Sequence, residues 1–378
     1  MGTSLLTNQS AMNALQTLRS IGDNMDTTQR RVSTGLRINE ASDNTAYWSI
    51  SSMMKSDRNA LSSVSDAMAL GKSQIDVANA TIDKSKDYLD NIQKSLTTAY
   101  EKGSGDIKKI QADIKANMND IQSAVYSASL AEKNILGNNG ESVRIAGSYR
   151  REGSAVYVDM IDVGGKELNF ATKGPNGTFD LSKGVLSDVF GSYDTTTPPP
   201  EANKTLSKLL DAIKSAKENL DNSTSTAGAQ EEEGGAEGGT STSTNPLQTA
   251  YDDAVKALTD VADKLTVKDF ANADFSYVSA SGMEKIIKAI QGKVTTATSN
   301  VVTAGATIGA AKAQVTGQID YVSKLMDAVD KGVGSLVDAD MNAESARLAS
   351  LQVQQQLGIQ ALSIANQNSQ NILSLFRQ

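Results

Sequence analysis

Both ends of the chain carry apolar residues at the three- and four-residue spacing of helices that pack along other helices. Residues 3–36 contain such a repeat, interrupted at Gly22 and Gln29. Its apolar members are Ala11, Leu15, Leu18, Met25, Val32 and Leu36. Heptad spacing of this kind occurs in ordinary bundle cores and also in contact surfaces between subunits. We therefore predict a helix over residues 3–36 and leave both kinds of partner open.

The last segment, residues 348–378, contains no Pro and a single Gly, which permits a helix. Its apolar residues form two rows on different faces. The first row is Leu351, Leu362, Ala365, Ile372 and Phe376, and the second is Leu357, Ala361, Ile364 and Leu375. Glutamines fill much of the remainder. A helix with two apolar faces needs neighbours on more than one side, so we predict that the two chain ends meet each other and further partners.

Between the ends, the same spacing predicts longer helices. One runs from Thr45 to Tyr100, and a second returns from Asp106 after a Gly103-Ser104-Gly105 turn, which makes the two antiparallel neighbours. Residues 282–331 carry a regular repeat over some fifty residues. We predict that Gly332-Val333-Gly334 ends that helix.

The middle of the chain has a different character. Short β-rich runs separated by Gly-containing turns predict hairpins within residues 137–170. Two amphipathic helices are predicted at residues 201–221 and 246–265. Between them, residues 222–245 are rich in Gly, Ser, Thr and Glu, which predicts a solvated acidic loop.

Turn and capping residues mark the places where the terminal helices end and the longer helices begin. Gly35, Asn39 and Asp43 predict a break after the first helix, with Trp48 as a packing anchor at the restart. Asp338-x-Asp340-x-Asn342 opens like a calcium loop. That loop also needs Gly at its sixth position and Glu at its twelfth, where this chain has Ala343 and Ala349. We therefore predict that Asp340 or Asn342 caps a helix.

Composition excludes several classes of function. The chain has 378 residues, a net charge of −8, and neither Cys nor His. The negative charge argues against nucleic acid as a partner. Without Cys and His, the commonest nucleophile–base pairs and metal ligands are missing, so we predict no enzyme activity, no catalytic residue, no cofactor and no metal. No apolar run is long enough to span a membrane, and the N-terminus lacks the features of a cleaved signal peptide.

These patterns predict a mainly α-helical protein. Both chain ends build a long antiparallel helical bundle or coiled coil, and the middle forms a small α+β region that contains β-hairpins.

Three stretches resemble the bacterial flagellin family. They are R-R-V-S-T-G-L-R-I-N-E-A-S-D-N at residues 30–44, V-D-A-D-M-N-A-E-S at 337–345 and Q-Q-L-G-I-Q-A-L-S-I-A-N-Q-N-S-Q-N-I-L-S-L-F at 355–376. The resemblance covers about residues 1–136 and 282–378. It implies a structural subunit that polymerises into the flagellar filament for swimming motility.

The resemblance also implies a domain plan. Residues 1–44 and 332–378 would form an inner terminal-helix domain that includes two joining segments, here called spokes. Residues 45–136 and 282–331 would form a helical rod, and residues 137–281 an outer variable region. The spoke turns would use Gly35, Asn39, Asp43, Gly332, Gly334 and Asp340.

Site residues follow from the same resemblance. Filament assembly would use apolar residues of both terminal helices, namely Leu15, Leu18, Met25, Val32, Leu36, Leu351, Leu357, Leu362, Ile364, Ile372, Leu375 and Phe376. The filament channel would be lined by Gln355, Gln356, Gln360 and Gln367.

The implied partners are other copies of the chain and paralogous flagellins, an export chaperone at the C-terminal helix, and hook-associated and cap proteins, with no membrane insertion. The implied location is the extracellular filament, reached through type III export without a cleaved signal peptide. Two alternatives stay open: a hook–filament junction protein, and a flagellin-like surface protein that binds a polysaccharide through residues 137–281.

Overall fold

The structure is a computed structural model that describes residues 8–101, 104–153, 155–174, 177–195, 205–227 and 245–375. The α-helices are α1 (Gln9–Thr34), α2 (Thr45–Glu101), α3 (Ser104–Ser127), α4 (Ser187–Phe190), α5 (Leu206–Ala227), α6 (Pro246–Thr259), α7 (Val267–Asn272), α8 (Ala280–Val337) and α9 (Met341–Leu375). The strands are β1 (Ser142–Glu152), β2 (Ala155–Gly164), β3 (Thr172–Lys173) and β4 (Phe179–Asp180). The prediction of a mainly helical chain with a small β-containing middle is confirmed.

The chain divides into two compact units. Unit 1 comprises Met1–Ser65 and Asp320–Gln378, and unit 2 comprises Asp66–Ile319. The division falls inside α2 and α8, so each unit contains part of both helices. The three-part plan drawn from sequence stays a prediction.

Unit 2 is built on the apolar spacing that the sequence shows. The apolar repeats of α2, α3 and α8 contribute most of their residues within unit 2 to one buried core, which confirms the three predicted helices. Its members include Ile75, Ile82, Leu89, Ile92, Leu96, Ile107, Ile110, Ile114, Ile121, Ile290, Val294, Val301, Ile308 and Val315. Each such side chain contributes about 1.5–3 kcal/mol on full burial.

Polar contacts in unit 2 give the direction of α2 against α8. Asp76 pairs with Lys312 at 2.7 Å, and the Tyr100 hydroxyl donates to Glu284 at 2.6 Å. Residue numbers therefore rise along one helix as they fall along the other, so the two run antiparallel. The Lys312 ammonium also lowers the pKa of the Asp76 carboxyl.

The middle of the chain contains the predicted hairpin. β1 pairs with β2 in antiparallel register, from Ser142 opposite Gly164 to Glu152 opposite Ala155, with a bulge between Ala146 and Ser148. Gly147 lies in that bulge, where a Cβ would approach the Ile161 side chain to 2.7 Å. β3 and β4 form a second, two-residue antiparallel pair.

Other boundaries in the middle differ from the predictions. K-E-L-N-F after Gly165 is not a strand: Lys166–Leu168 is a 3₁₀ turn, and Leu168 and Phe170 enter the core. α6 ends at Thr259, before the predicted residue 265, and residues Ala262–Lys264 form another 3₁₀ turn. Most of the predicted acidic loop, residues 228–244, lies outside the described residues.

Candidate assembly surface on the terminal helices

The two chain ends pair with each other in unit 1, as the sequence predicts. Near the start of α1, the Asn8 side chain donates to the Ala365 carbonyl at 3.0 Å. At mid-length, Leu18 lies over Gly358. Near the end of α1, Arg31 pairs with Glu344 at 3.0 Å. Since residue numbers rise in α1 as they fall in α9, the helices are antiparallel.

The inner face of this pair keeps three- and four-residue spacing on both helices. Its half-buried or buried members in α1 are Ala11, Ala14, Leu18, Ile21, Met25, Thr28 and Val32, and in α9 they are Glu344, Leu348, Leu351, Gln355, Gly358, Leu362 and Ala365. Thr28 and Leu351 are buried. The contact is therefore a single narrow row, much thinner than the core of unit 2.

The sequence repeat in α1 was right at every second position. Ala11, Leu18, Met25 and Val32 face α9, but Leu15 is 39% exposed. Ala14, Ile21 and Thr28 take the places assigned to Leu15, Gly22 and Gln29. One residue corresponds to a rotation of about 100°, and the small and polar residues at 14 and 28 let α1 approach α9 closely. Leu36 lies beyond the end of α1.

The second apolar row of α9 is exposed at Leu357, Ala361 and Ile364. Leu357 and Ile364 are 58% and 62% exposed, and Val353 lies beside them at 56%. With about 100° per residue, this row lies roughly 150° from the centre of the inner face. We call Val353, Leu357 and Ile364 the outer row. Exposed apolar side chains grouped along one helix face indicate a contact with another molecule.

The predicted glutamines separate into two places. Gln356, Gln360 and Gln367 are exposed and fall on one stripe of α9, about 60° from the outer row. Gln355 instead belongs to the inner face and is half-buried. Ile372 and Leu375 lie in α9, and Phe376 lies outside the described residues.

The first spoke begins where α1 ends. Gly35 adopts φ 71°, a left-handed conformation that suits glycine, and its N–H closes the helix on the Arg31 carbonyl. The chain then pairs with the residues after α8: Arg37 N–H donates to Val337 at 2.6 Å, and Ala339 N–H donates to Gly35 at 2.9 Å. Ile38 completes a small core with Val333 and Val337.

Carboxylates hold the turn before α2 and the start of α9. The Asp43 carboxylate accepts the backbone N–H groups of Asn39 at 2.9 Å and Glu40 at 3.1 Å, and these bonds lower the pKa of Asp43. The side chain of Asp340 accepts from the N–H groups of Asn342 and Ala343. Asp340 therefore caps α9, as one of the two sequence candidates.

Gly332 and Gly334 are not turns, and the prediction that they end the helix was wrong. α8 continues through both residues to Val337. A Cβ at Gly332 would lie 2.8 Å from the end of Met54, and one at Gly334 would lie 2.6 Å from Asp338 Oδ2. These glycines make room for side chains, and the packing of Val333 and Val337 offsets the cost of about 1 kcal/mol for Gly within a helix.

The start of α2 carries apolar residues that the sequence analysis did not assign to a surface. Tyr47, Trp48, Ile50 and Met53 are all exposed; Trp48, at 39%, is partly covered, and its role as a packing anchor stays a prediction. They occupy two helical turns and point in several directions, which one neighbour within the chain cannot cover. The signal available in the sequence was the spacing of these four residues, which places them on different faces of one helix.

Within the described ranges, no three His, Cys, Asp or Glu residues lie close enough together to hold a metal ion. No helix in the part of the chain that the structure describes is long and apolar enough to cross a membrane.

Unit 1 thus has the geometry of a polymer subunit, in which the two chain ends form one thin helical pair with further apolar side chains exposed. Two family models match the chain: the bacterial flagellin N-terminal helical region over residues 5–140 and the bacterial flagellin C-terminal helical region over residues 291–376.

Relatives match over nearly the whole length. A flagellin of Bartonella bacilliformis is 47% identical over 96% of this chain and 97% of its own. A flagellin of Brucella melitensis biotype 1 is 37% identical over 99% of both chains. Flagellin A of Rhizobium meliloti is 36% identical over 99% of this chain and 100% of its own.

The chain belongs to the bacterial flagellin family. It is a structural subunit of the flagellar filament, which confirms the resemblance seen in the sequence. The two alternatives, a junction protein and a polysaccharide-binding protein, are not favoured, since the similarity to flagellins extends through the middle of the chain.

Proposed function

We propose that the paired terminal helices are the surface through which this subunit joins the filament, with the predicted residues acting in two sets. Leu18, Met25, Val32, Leu351 and Leu362 hold α1 against α9 within one subunit. Leu15, Leu357 and Ile364 contact neighbouring subunits, and we add Val353 to this second set. The observation that carries the proposal is the exposed outer row on a helix whose opposite face is already covered.

The size of the apolar contribution suits reversible growth of a polymer. Burying the outer row completely would contribute about 1.5–3 kcal/mol per side chain, less the share already covered. Part of that gain offsets the loss of translational and rotational freedom on association. Because each subunit in a helical polymer meets several neighbours, modest contacts add up to a stable filament.

The exposed stripe of Gln356, Gln360 and Gln367 supports a second part of the proposal. We infer that it lines a water-filled channel. Uncharged amides remain hydrated beside water and do not attract or repel charged segments of a passing chain. Gln355 is half-buried on the inner face, so it would contribute less to the channel lining than the sequence predicts.

The spokes and the outer region complete the proposed plan. Residues 1–44 and 332–378 would form the inner domain, 45–136 and 282–331 the rod, and 137–281 the outer region. The pairing of Gly35 and Arg37 with residues 337 and 339 supports a fixed junction between the terminal helices and the longer ones. Ile372, Leu375 and Phe376 extend the proposed contacts toward the end of the chain.

We also propose partners and a route of export, which family membership supports. We infer that an export chaperone binds the C-terminal helix before assembly, and its apolar outer row is a suitable target. Hook-associated and cap proteins and paralogous flagellins would contact the same terminal surfaces. We infer delivery to the outside of the cell, followed by polymerisation in the filament that drives swimming.

The double substitution L357S/I364S tests the proposed surface. It removes two outer-row side chains and leaves the inner face intact, so we expect a folded monomer that fails to polymerise. L70S is a matched control, since Leu70 is similarly exposed (49%) but lies in unit 2. Sedimentation and electron microscopy measure polymer, and circular dichroism measures folding.

Two results would contradict the proposal. If L357S/I364S forms filaments at the wild-type critical concentration, the outer row makes no contact between subunits. Deletion of residues 343–378 removes α9 almost entirely, and filaments from that protein would refute the role of the terminal pair.

A further inference from the structure

The methionines are distributed differently in the two units. In unit 2, Met68, Met118 and Met283 are buried in the core, and Met160 is exposed on β2. In unit 1, none of the methionines that the structure describes is buried. Met12, Met53 and Met341 are 55%, 50% and 42% exposed, whereas Met25, Met54 and Met326 are half-buried.

Two of the three exposed methionines of unit 1 lie near exposed apolar side chains described above, and the third begins α9. Met12 is in α1, one turn before Leu15. Met53 belongs to the exposed cluster at the start of α2. Met341 is the first residue of α9, directly after the capping Asp340. Each thioether is therefore open to small molecules in the free subunit.

Sulfur chemistry in this chain rests on methionine, because the sequence contains 11 Met and no Cys. A thioether sulfur attacks one oxygen of hydrogen peroxide, so that an S–O bond forms as the O–O bond breaks. The departing hydroxide takes the proton from the oxygen now bound to sulfur and leaves as water. Sulfur is oxidised to the sulfoxide and the peroxide is reduced. The product is a polar side chain with a strong hydrogen-bond acceptor.

We propose that Met12, Met53 and Met341 make subunit addition sensitive to peroxides, and that polymerisation protects them. The inference rests on the proposed assembly surface. A sulfoxide brought into an apolar contact loses its water and gains no donor, which disfavours addition of the oxidised subunit. Subunits already in the filament keep these thioethers covered, so an oxidant stops growth and spares existing polymer.

The wild-type protein provides the first test. Monomer and preformed filaments are exposed to the same dilute hydrogen peroxide, and peptide mass spectrometry follows the gain of one oxygen at each methionine. We expect Met12, Met53 and Met341 to oxidise in the monomer and to be protected at least tenfold in filaments. Met68 is buried in the free subunit and serves as a reference that stays reduced in both.

Substitution separates the effect of these residues from general damage. Leu closely matches Met in volume, so the triple variant M12L/M53L/M341L should assemble after peroxide treatment as it does before. For the treated wild type we expect the critical concentration to rise about tenfold, equivalent to about 1.4 kcal/mol. M160L is the matched control: it changes an exposed Met of unit 2 and should remain as sensitive as the wild type.

The possible failures are distinguishable. If untreated wild-type protein forms filaments while its three methionines oxidise equally fast in monomer and polymer, the inference is wrong and the assembly surface is untouched. The same holds if fully oxidised monomer assembles normally. If L357S/I364S forms filaments normally, the proposed assembly surface itself fails. Should the triple variant assemble poorly without peroxide, the footprint on wild-type protein still decides.

Discussion

The contact between Leu18 and Gly358 offers a quantitative test of the terminal helix pair. A Cβ at position 358 would lie 3.2 Å from Leu18 Cδ1 and 3.9 Å from its Cγ. Alanine therefore meets only the flexible end of one side chain, which can rotate away. Because Ala favours a helix by about 1 kcal/mol over Gly, we expect G358A to pair and polymerise at least as well as the wild type.

Valine at the same position has a different effect. Its two additional methyl groups have no room beside Leu18 unless α1 moves away from α9. Overpacking costs about 1–3 kcal/mol, and the lower part of that range applies because Leu18 is half-buried. A cost of about 1–2 kcal/mol corresponds to a roughly 5- to 30-fold rise in critical concentration for G358V.

A compensating substitution makes this reasoning refutable. L18A removes three carbons where G358V adds three, so the double variant L18A/G358V should recover most of the lost assembly. Sedimentation of polymer over a concentration series gives the critical concentration, and circular dichroism gives the helical content. Wild-type assembly by G358V, or no recovery in the double variant, would show that this contact does not hold the two helices together.

Two further predictions concern local structure away from the helix pair. Ala131 and Glu132 adopt φ 52° and 64° in a tight turn closed by hydrogen bonds between Leu130 and Lys133. Gly adopts this conformation without steric cost. E132G should therefore raise the free energy of unfolding of unit 2 by about 0.5–1 kcal/mol in urea unfolding. G153A, at φ 60°, should lower stability by a similar amount, and equal behaviour of both variants would contradict the argument. The pKa of Asp43 lies below its ordinary 3.8. The hydrogen bonds that its carboxylate accepts from two backbone N–H groups therefore stabilise the spoke above pH 3.8, and this stabilisation is lost as pH falls through the lowered pKa. An NMR titration of those amide protons should give a midpoint below 3.8, with no transition there in D43N, and a midpoint at or above 3.8 would rule this out.

The sequence predicts the pairing of the chain ends because the signal is repeated over many residues. α9 has two apolar rows, and the structure covers one with α1 and leaves the other exposed. The cores of α2, α3 and α8 likewise follow their repeats. Long periodic patterns average over local exceptions such as Ser85, which is buried and donates to the Thr81 carbonyl within its own helix.

The errors occur where local signals compete with packing. Gly332 and Gly334 look like a helix end, yet the small core around Val333 and Val337 keeps α8 intact. In α1, Leu15 fits the repeat as well as Ala14 does. The choice depends on how closely α9 approaches, which the sequence of α1 alone does not contain. The exposure of Trp48 likewise depends on what packs against α2, which the sequence around Trp48 does not contain; in the described chain it is 39% exposed.

The antiparallel pairing of α1 with α9 has a consequence for protein synthesis. α1 leaves the ribosome first, but its partner is made last, and the Asn8–Ala365 bond joins residues 357 positions apart. A product of premature termination before Met341 would carry α1 without the helix that matches it. Pairing of α1 with α9 therefore requires a fully translated chain, and this helix pair is the surface through which we propose that a subunit joins the filament.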